Sequence, residues 1–210
     1  MRMMVHLVVH IVIALSLYAA LVTTSAEPTP RKANRYLIEK WKKWYTFCDI
    51  NHDGVISVGD PKHFETFYKG NDCSRYGGRK TSLETMVQLW KAVHLFNKTV
   101  ISQAEFVGTV KQQFETNDAA FYNLIRMYMS EWSRFIDCNG NNLLSNDEVL
   151  TLLFAMGHNN TAKDEELFFS FPDENGEIPP AVVVANFLRF VFDKDKAKPD
   201  IFKNSLDSGI

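Results

Sequence analysis

The chain has 210 residues with a formal net charge of −2, and 46% of these residues are hydrophobic. This length and composition are typical of a globular protein with a packed core in one domain or two small lobes. A charge this close to zero gives no electrostatic basis for binding nucleic acid. No histidine stands in a pattern with a nucleophile that would indicate a hydrolase, so the sequence predicts no enzyme.

A targeting segment is predicted at residues 1–26. It has Arg2 near its start, an apolar run over about residues 8–22, and then small residues that suit signal peptidase, ending at Ala26. The apolar run is shorter than the roughly 20 residues that span a bilayer, which favours a cleaved signal peptide over a membrane anchor. The mature chain is therefore expected to begin near Glu27, to carry no membrane span, and to be secreted or held in the secretory lumen.

Two further features bear on a secretory route. Asn97 and Asn159 each begin an acceptor triplet for N-glycosylation. The three cysteines, at positions 48, 73 and 138, allow one disulfide at most. Either Cys48 pairs with Cys73, its neighbour in the sequence, or Cys48 is a buried apolar residue at a helix end and no bridge forms. We favour the second alternative.

The stretch Phe47–Asp60, FCDINHDGVISVGD, has oxygen-bearing side chains at alternating positions around one glycine. A twelve-residue loop of this kind can wrap a hard divalent cation, because Gly54 allows the sharp turn at its sixth position. Val55 offers its backbone carbonyl, and Asp60 closes the loop. The predicted metal ligands are Asp49, Asn51, Asp53, Val55, Ser57 and Asp60.

An amphipathic helix is predicted on each side of this first loop. Before it, large residues recur at three- and four-residue steps: Leu37, Trp41, Trp44, Tyr45 and Cys48. After it, Pro61 suits a first helical turn, and Phe64, Phe67 and Tyr68 form the apolar side of the next helix. Together these segments predict a helix-loop-helix unit. Farther along, Thr81 with Glu84 predicts the cap of another helix.

A second, degenerate loop follows at His94–Glu105. Its early ligand positions carry His94, Phe96 and Lys98, which cannot chelate a hard cation, and the charge of Lys98 would repel it. The later positions keep the loop pattern: Ile101, Ser102 and Glu105. Ser102 with Glu105 also forms the pattern of a capping box. This loop is predicted to bind no metal.

A third loop, within RFIDCNGNNLLSNDE, repeats the ligand pattern of the first. Asn142 takes the sixth position, and asparagine tolerates a left-handed turn better than any residue except glycine. The predicted ligands are Asp137, Asn139, Asn141, Leu143, Ser145 and Glu148. Ser145 with Glu148 is also a capping box for the outgoing helix. With two acids against three in the first loop, this loop is expected to attract a cation less strongly, although its terminal Glu148 can bind through both oxygens.

A fourth loop at Phe171–Val182 keeps part of the pattern. Asp173, Asn175 and Glu177 could bind, but Phe171 and Val182 replace the first and the closing carboxylates. This loop is therefore predicted to be a structural remnant without a metal. The repeat count is four, and it predicts an all-α fold of two lobes, each a pair of helix-loop-helix units. The expected boundaries are residues 32–115 and 117–193, followed by a tail at 194–210 whose Ile201, Phe202 and Leu206 are available to dock.

These loops resemble those of the EF-hand family, whose pattern is D-x-[DN]-x-[DN]-G-x5-E. The order of intact and degenerate loops, Asp60 as the first closing acid and the aromatic helices resemble the sarcoplasmic calcium-binding protein and calexcitin group. The resemblance implies a compact helical protein that buffers or senses calcium, most often inside cells. The predicted signal peptide departs from that group.

The expected function is therefore calcium-ion binding in the secretory pathway or outside the cell, as a buffer, a carrier or a calcium-stabilised interaction module with an unidentified protein partner. Mg²⁺ is an alternative at the first loop, because Asp60 is shorter than the usual Glu. No nucleic-acid partner is expected.

Two alternatives remain open. EF-hand photoproteins and luciferin-binding proteins resemble the same group and hold coelenterazine among aromatic residues, which here could be Trp41, Trp44, Trp90, Trp132, Tyr128 and His94. A calmodulin-like sensor is the other alternative. It would expose a methionine-rich groove, whereas the mature region has only four scattered methionines: Met86, Met127, Met129 and Met156.

Overall fold

The computed structural model describes residues 31–69, 81–158, 160–173 and 175–209. The predicted signal peptide at residues 1–26, the cysteine at position 73 and the acceptor at Asn159 lie outside the described residues. The described part contains nine helices: α1 (Arg35–Cys48), α2 (Pro61–Lys69), α3 (Leu83–His94), α4 (Gln103–Thr116), α5 (Asp118–Ile136), α6 (Asn146–Ala155), α7 (Thr161–Phe169), α8 (Pro180–Phe192) and α9 (Ile201–Ser208). The predicted all-α fold is confirmed.

Helix α1 forms because its sequence supplies both a cap and one apolar face. The Asn34 side chain accepts a hydrogen bond from the Leu37 N–H and satisfies a donor of the first turn. All five residues predicted for the apolar face are buried: Leu37, Trp41, Trp44, Tyr45 and Cys48. Because these residues lie on one side, α1 packs against both α4 and α8.

The helix-loop-helix units meet in pairs through short backbone pairings. Strands β1 (Ile56–Ser57) and β2 (Val100–Ile101) are antiparallel, with Ile56 opposite Ile101. The same position of the other two loops forms an isolated antiparallel bridge between Leu144 and Ile178. These four apolar side chains are fully buried, so each pairing also anchors its loops to the core. The pairings bring the first loop beside the second and the third beside the fourth.

Helix contacts connect the two predicted pairs. Helix α5 packs along α8 and also against α3, and α1 packs on α8. The chain from Lys32 to Ile210 groups as one compact unit. The predicted boundaries at residues 115 and 193 stay predictions. Among the described residues, no helix combines the length and apolarity that a bilayer crossing requires.

The tail docks through a helix and a buried ion pair. Phe202 in α9 packs against the rings of Phe171 and Phe187. The side chain of Lys40, which has no exposed surface, lies 3.0 Å from an Asp200 carboxylate oxygen just before α9. It also donates to the Asp193 carbonyl at 2.7 Å. The ion pair between Lys40 and Asp200, shielded from water, therefore joins α1 to the start of α9.

The cysteines differ from the sequence expectations. Cys48 is a free thiol buried in the last turn of α1, so a Cys48–Cys73 bridge is wrong: the thiol faces the apolar core. The expectation that nothing is bridged is also wrong, because Cys138 is disulfide-bonded. Cys138 is half-buried just beyond the end of α5.

Candidate metal centres

The first loop (Asp49–Asp60) begins where α1 ends, and its first carboxylate organises the turn. Asp49 is nearly buried, and its two oxygens accept the N–H groups of Asp53 and Gly54 at 3.2 and 3.0 Å. Gly54 has a φ of +90°. A side chain would be strained there, so the pattern's glycine is needed for its backbone rather than for space. Asp49 thus folds the loop back on itself.

Asp60 closes the first loop from inside the protein. Its side chain has no exposed surface, and one oxygen accepts the Ile50 N–H at 2.9 Å while the other accepts the Ser57 N–H at 2.6 Å. Burial raises the pKa of this carboxyl, an effect that these backbone hydrogen bonds oppose. Asp60 therefore ties the second position of the loop to the ninth.

Between these two acids lie the exposed ligand positions. The Asn51 side chain accepts the Asp53 N–H at 3.0 Å, and Asp53 accepts the Val55 N–H at 3.0 Å. Asn51 also donates from its amide nitrogen to Asp53. The Tyr45 hydroxyl donates to the Gly54 carbonyl at 2.9 Å and so fastens the turn to α1. Asn51 and Asp53 therefore lie on the exposed side of the loop and hydrogen-bond within it.

The third loop (Asp137–Glu148) repeats this arrangement with other residues. Asp137 is nearly buried and accepts the N–H groups of Gly140 and Asn142 at 2.8 and 3.1 Å. Glu148 accepts the Cys138 N–H at 2.8 Å and the Ser145 N–H at 2.9 Å. Thus the closing carboxylate again joins the second position of its loop to the ninth.

The two loops exchange glycine and a non-glycine residue at the two left-handed positions. In the first loop His52 and Gly54 have positive φ angles of 57° and 90°, and in the third loop Gly140 and Asn142 have 70° and 63°. Both the fourth and the sixth position of the loop have a positive φ angle, and each loop places glycine at one of the two. Asn142 is thus a working substitute, as predicted.

The chemistry of both ligand sets suits a hard cation. The predicted donors are carboxylate, amide, hydroxyl and backbone oxygens, without a sulfur or imidazole ligand, and such sets select Ca²⁺ or Mg²⁺. Within the described ranges, no three His, Cys, Asp or Glu side chains gather into a metal-binding group. Each predicted ligand set instead combines acids with amide, hydroxyl and backbone oxygens.

The second loop contains its own cation. Lys98 lies 2.9 Å from the closing Glu105, and this ion pair together with the Ser102 hydroxyl and backbone holds the pKa of Glu105 at about 2. His94, at the first position, is fully buried, and burial lowers its pKa to about 3. An ammonium group thus occupies the neighbourhood of the acid that would close a metal site. That this loop binds no metal stays a prediction, and the ion pair of Lys98 with Glu105 favours it.

The fourth loop supplies a residue, Glu177, that sequence analysis considered only as a ligand of its own loop and not of the third. Phe171 at its first position is buried against α9 and offers no ligand. The Glu177 carboxylate, however, reaches across to the third loop, where its two oxygens lie 3.3 and 3.4 Å from the Asn141 amide nitrogen. The bridge between Leu144 and Ile178 creates this approach. The sequence indicated this contact only through the expected pairing of the third and fourth loops.

Comparisons with known proteins give the same architecture. A sarcoplasmic calcium-binding protein of Mizuhopecten yessoensis is 28% identical over 177 residues, which cover 82% of this chain and 99% of that protein. The photoprotein clytin has a TM-score of 0.62 at 17% identity, covering 85% and 98% of the two chains. The coelenterazine-binding protein of Renilla muelleri has a TM-score of 0.57 at 18% identity, covering 79% and 92%. No protein-family model matches the chain.

The chain has the EF-hand fold. The paired loops and the two solved structures agree on this fold. In EF-hand terms, the first and third loops keep their acids at both ends. The second and fourth have lost their first carboxylate to His94 and Phe171.

Proposed function

We propose that this EF-hand protein binds calcium ions through its first and third loops. One observation carries the proposal: both loops have a buried aspartate at the first position and a closing carboxylate that joins the second and ninth positions. The protein would act as a calcium buffer or carrier, or as an interaction module that calcium stabilises, because an ion that binds only the folded form raises its stability.

Weak calcium sites would suit a location outside the cytosol. Asp60 is shorter than glutamate and is held by three backbone N–H groups, from Ile50, Asn51 and Ser57. The third loop has two acids instead of three. Fewer charges and a shorter closing ligand lower calcium affinity, and extracellular modules work at about 10⁻⁴ to 10⁻³ M calcium. The first loop could also take Mg²⁺, which accepts a more compact oxygen set.

The disulfide supports the proposed secretory location. Disulfides persist in oxidising compartments and are rare in the cytosol, and Cys138 is disulfide-bonded. Asn97, one of the two glycosylation acceptors, is exposed and thus accessible to modification. Peptide mapping of the protein secreted from eukaryotic cells should show an N-terminus near Glu27. Without reduction it should also show Cys138 joined to Cys73, the one cysteine left when Cys48 is free. A retained leader or a free Cys138 would contradict this location.

Calorimetric titration of the mature chain with Ca²⁺ and with Mg²⁺ tests the metal sites. About two calcium ions should bind, one in each loop with acids at both ends. Asp60→Asn should remove the first site and Glu148→Gln the third. Glu105→Gln is the matched control, because it neutralises the closing acid of the second loop. The proposal fails if the parent binds no calcium or if Glu105→Gln removes a site.

An apolar cavity lies where the second candidate function, the holding of a coelenterazine-like ligand, would need a pocket. Four of the six predicted pocket residues line it, namely Trp44, Trp132, Tyr128 and His94, whereas Trp41 and Trp90 do not. The buried Nε2 atom of His94 has no hydrogen-bond partner among the described residues. The cavity volume is about 100 Å³, below the roughly 300–1,000 Å³ of ligand pockets. We therefore expect no luminescence when calcium is added after incubation with coelenterazine, and light emission would favour this candidate.

The methionines do not favour a calmodulin-like sensor. Met86 and Met156 are buried, Met129 is partly buried against the core, and only Met127 is exposed. They therefore form no surface groove that could adapt to target helices. A hydrophobic dye should show little added fluorescence when calcium binds, whereas a strong rise would indicate sensor-like opening.

A further inference from the structure

A groove lined by two lysines and two histidines lies beside α1 and the first loop. One wall is the exposed side of α1 and the first loop, with Lys42, Lys43 and His52, and the other is the segment between α6 and α7, with His158. Leu206 of α9 also lines the groove. The groove has a volume of about 410 Å³, within the roughly 300–1,000 Å³ typical of small-molecule sites. We call it the basic groove.

The formally charged residues that line the basic groove are both lysines. None of its lining residues is Asp or Glu, although the chain as a whole has a net charge of −2. Lys43 forms an ion pair with Asp207 at 2.6 Å. In the part of the chain that the structure describes, Lys42 has no carboxylate in ion-pair contact. The charge of Lys42 thus has no carboxylate partner among these residues, whereas Lys43 is paired with Asp207. An unpaired lysine charge in the groove favours a bound anion.

The remaining walls offer hydrogen-bond donors and an apolar surface. The His158 ring stacks on Phe47 with centroids 4.7 Å apart, and burial lowers its pKa to about 4, so at neutral pH the ring is uncharged and has one N–H to donate. Phe47 and Leu206 supply the apolar part of the lining. A ligand with both an anionic group and an apolar body would match these walls.

A close backbone approach fixes the shape of the basic groove. Gly157 has a φ of +87°, and a Cβ atom there would lie 2.9 Å from the Ile50 carbonyl oxygen. Only glycine lets the segment before His158 pass so near the first loop. The wall that carries His158 is therefore set by packing against the first loop and stands ready before any ligand arrives.

We propose that the basic groove binds a small organic oxyanion, such as a sulfate or phosphate monoester with an apolar body. The anionic group would lie at Lys42 and Lys43, and the apolar body against Phe47 and Leu206. The lining residues include none of the predicted calcium ligands.

An NMR titration of the ¹⁵N-labelled mature chain tests the site. The probe is benzenesulfonate, which carries an oxyanion and a ring, and millimolar calcium is present so that the loops are held in one state. Saturable shifts should appear at the backbone amides of Lys42, His52 and His158. Benzyl alcohol, a neutral ring of similar size, should give much smaller shifts, because the lysines contribute nothing to its binding.

Charge variants separate this site from general electrostatic attraction. Lys42→Gln should weaken benzenesulfonate binding about five-fold, the equivalent of about 1 kcal/mol for one partly exposed ion pair. Lys196→Gln removes the same charge from an exposed position outside the groove and should leave the affinity unchanged. Matching spectra of the free variants would show that both are folded. The proposal is overturned if shifts do not saturate, if benzyl alcohol gives the same shifts, or if both variants weaken binding equally.

Discussion

Glu177 shows what a single residue adds to a site that its own loop does not form. It lies in a loop without a first or closing acid, yet its carboxylate lies 3.3 Å from the amide nitrogen of Asn141 in the third loop. The third loop has two acids of its own, so a third carboxylate nearby raises the negative potential at the predicted ion. The linear pattern could not indicate this, because the contact depends on which loops pair in space.

Glu177→Gln should therefore lower the calcium affinity of the third loop about three- to five-fold. Two charges a few Å apart in water interact by about 1 kcal/mol. Calorimetry on the Asp60→Asn background, which leaves the third loop as the one predicted site, measures this effect directly. Asp173→Asn removes the same charge from the same loop, and its described contact is to Gly176 within that loop. It should have the smaller effect, and equal losses for both variants would contradict a specific role for Glu177.

His94 predicts a pH dependence of stability. Its pKa is about 3 in the folded chain because of burial, against an ordinary 6.5. As the pH falls below 6.5, the unfolded chain gains a proton on this residue that the folded chain does not, so the free energy of unfolding decreases down to about pH 3. Between pH 7.5 and 5.5, one such histidine should cost about 1.4 kcal/mol.

Urea denaturation at a series of pH values measures this dependence. His94→Phe keeps an aromatic ring in the core but cannot titrate, so its stability should fall less over the same range. His63→Gln, which removes an exposed histidine, is the matched control. If His94→Phe shows the same pH dependence as the parent, another group is responsible.

At the scale of helices and loops, short residue patterns predicted most of the helix caps. The two S-x-x-E patterns form capping boxes at α4 and α6, as expected. The predicted cap at Thr81 is wrong by one residue: Ser82 accepts the Thr85 N–H, while Thr81 donates to Glu131 of α5. A cap depends on nearby backbone donors, but the choice between two adjacent hydroxyls depends on a distant helix, which the sequence does not show.

Ser145 joins helix capping to metal binding, because its partner Glu148 is also the closing acid. Ser145→Ala should destabilise the metal-free protein by about 1 kcal/mol, a typical loss for an N-cap. It should also weaken calcium binding at the third loop, since the hydroxyl holds a Glu148 oxygen at 2.9 Å and is itself a predicted ligand. Thermal melts with and without calcium, together with calorimetry, measure both effects.

Ser102→Ala is the matched variant for this comparison. Ser102 forms the same capping box with Glu105, but in the loop that Lys98 renders unsuitable for a metal. It should lose similar stability without calcium and should leave calcium affinity unchanged. If both variants lose calcium affinity to the same extent, the effect of Ser145 is one of general stability.

At the scale of the whole molecule, the sequence indicated the core but not the buried ion pair that connects α1 to the tail. Helical periodicity identified the buried face of α1, and the tail residues Ile201, Phe202 and Leu206 do pack against the core as anticipated. Lys40 reads as a polar residue of α1, yet it is fully buried. Its partner Asp200 is 160 residues away in the sequence. No local pattern can report such a pairing, because it exists only once α8 and the tail have packed on α1.

Lys40→Met should be the most destabilising of the variants considered, by about 3–5 kcal/mol, because it leaves the buried Asp200 charge without its partner. Adding Asp200→Asn should recover much of this loss. The amide removes the charge but can still accept the Lys203 N–H and cap α9.

Lys43→Met breaks the half-exposed pair with Asp207 and should cost less than about 1 kcal/mol. Urea denaturation gives these values, and limited proteolysis shows whether α9 has detached. If Lys40→Met and Lys43→Met cost the same, the tail is held by apolar packing of Phe202 and its neighbours, and the buried pair contributes little beyond specifying where the last helix lies.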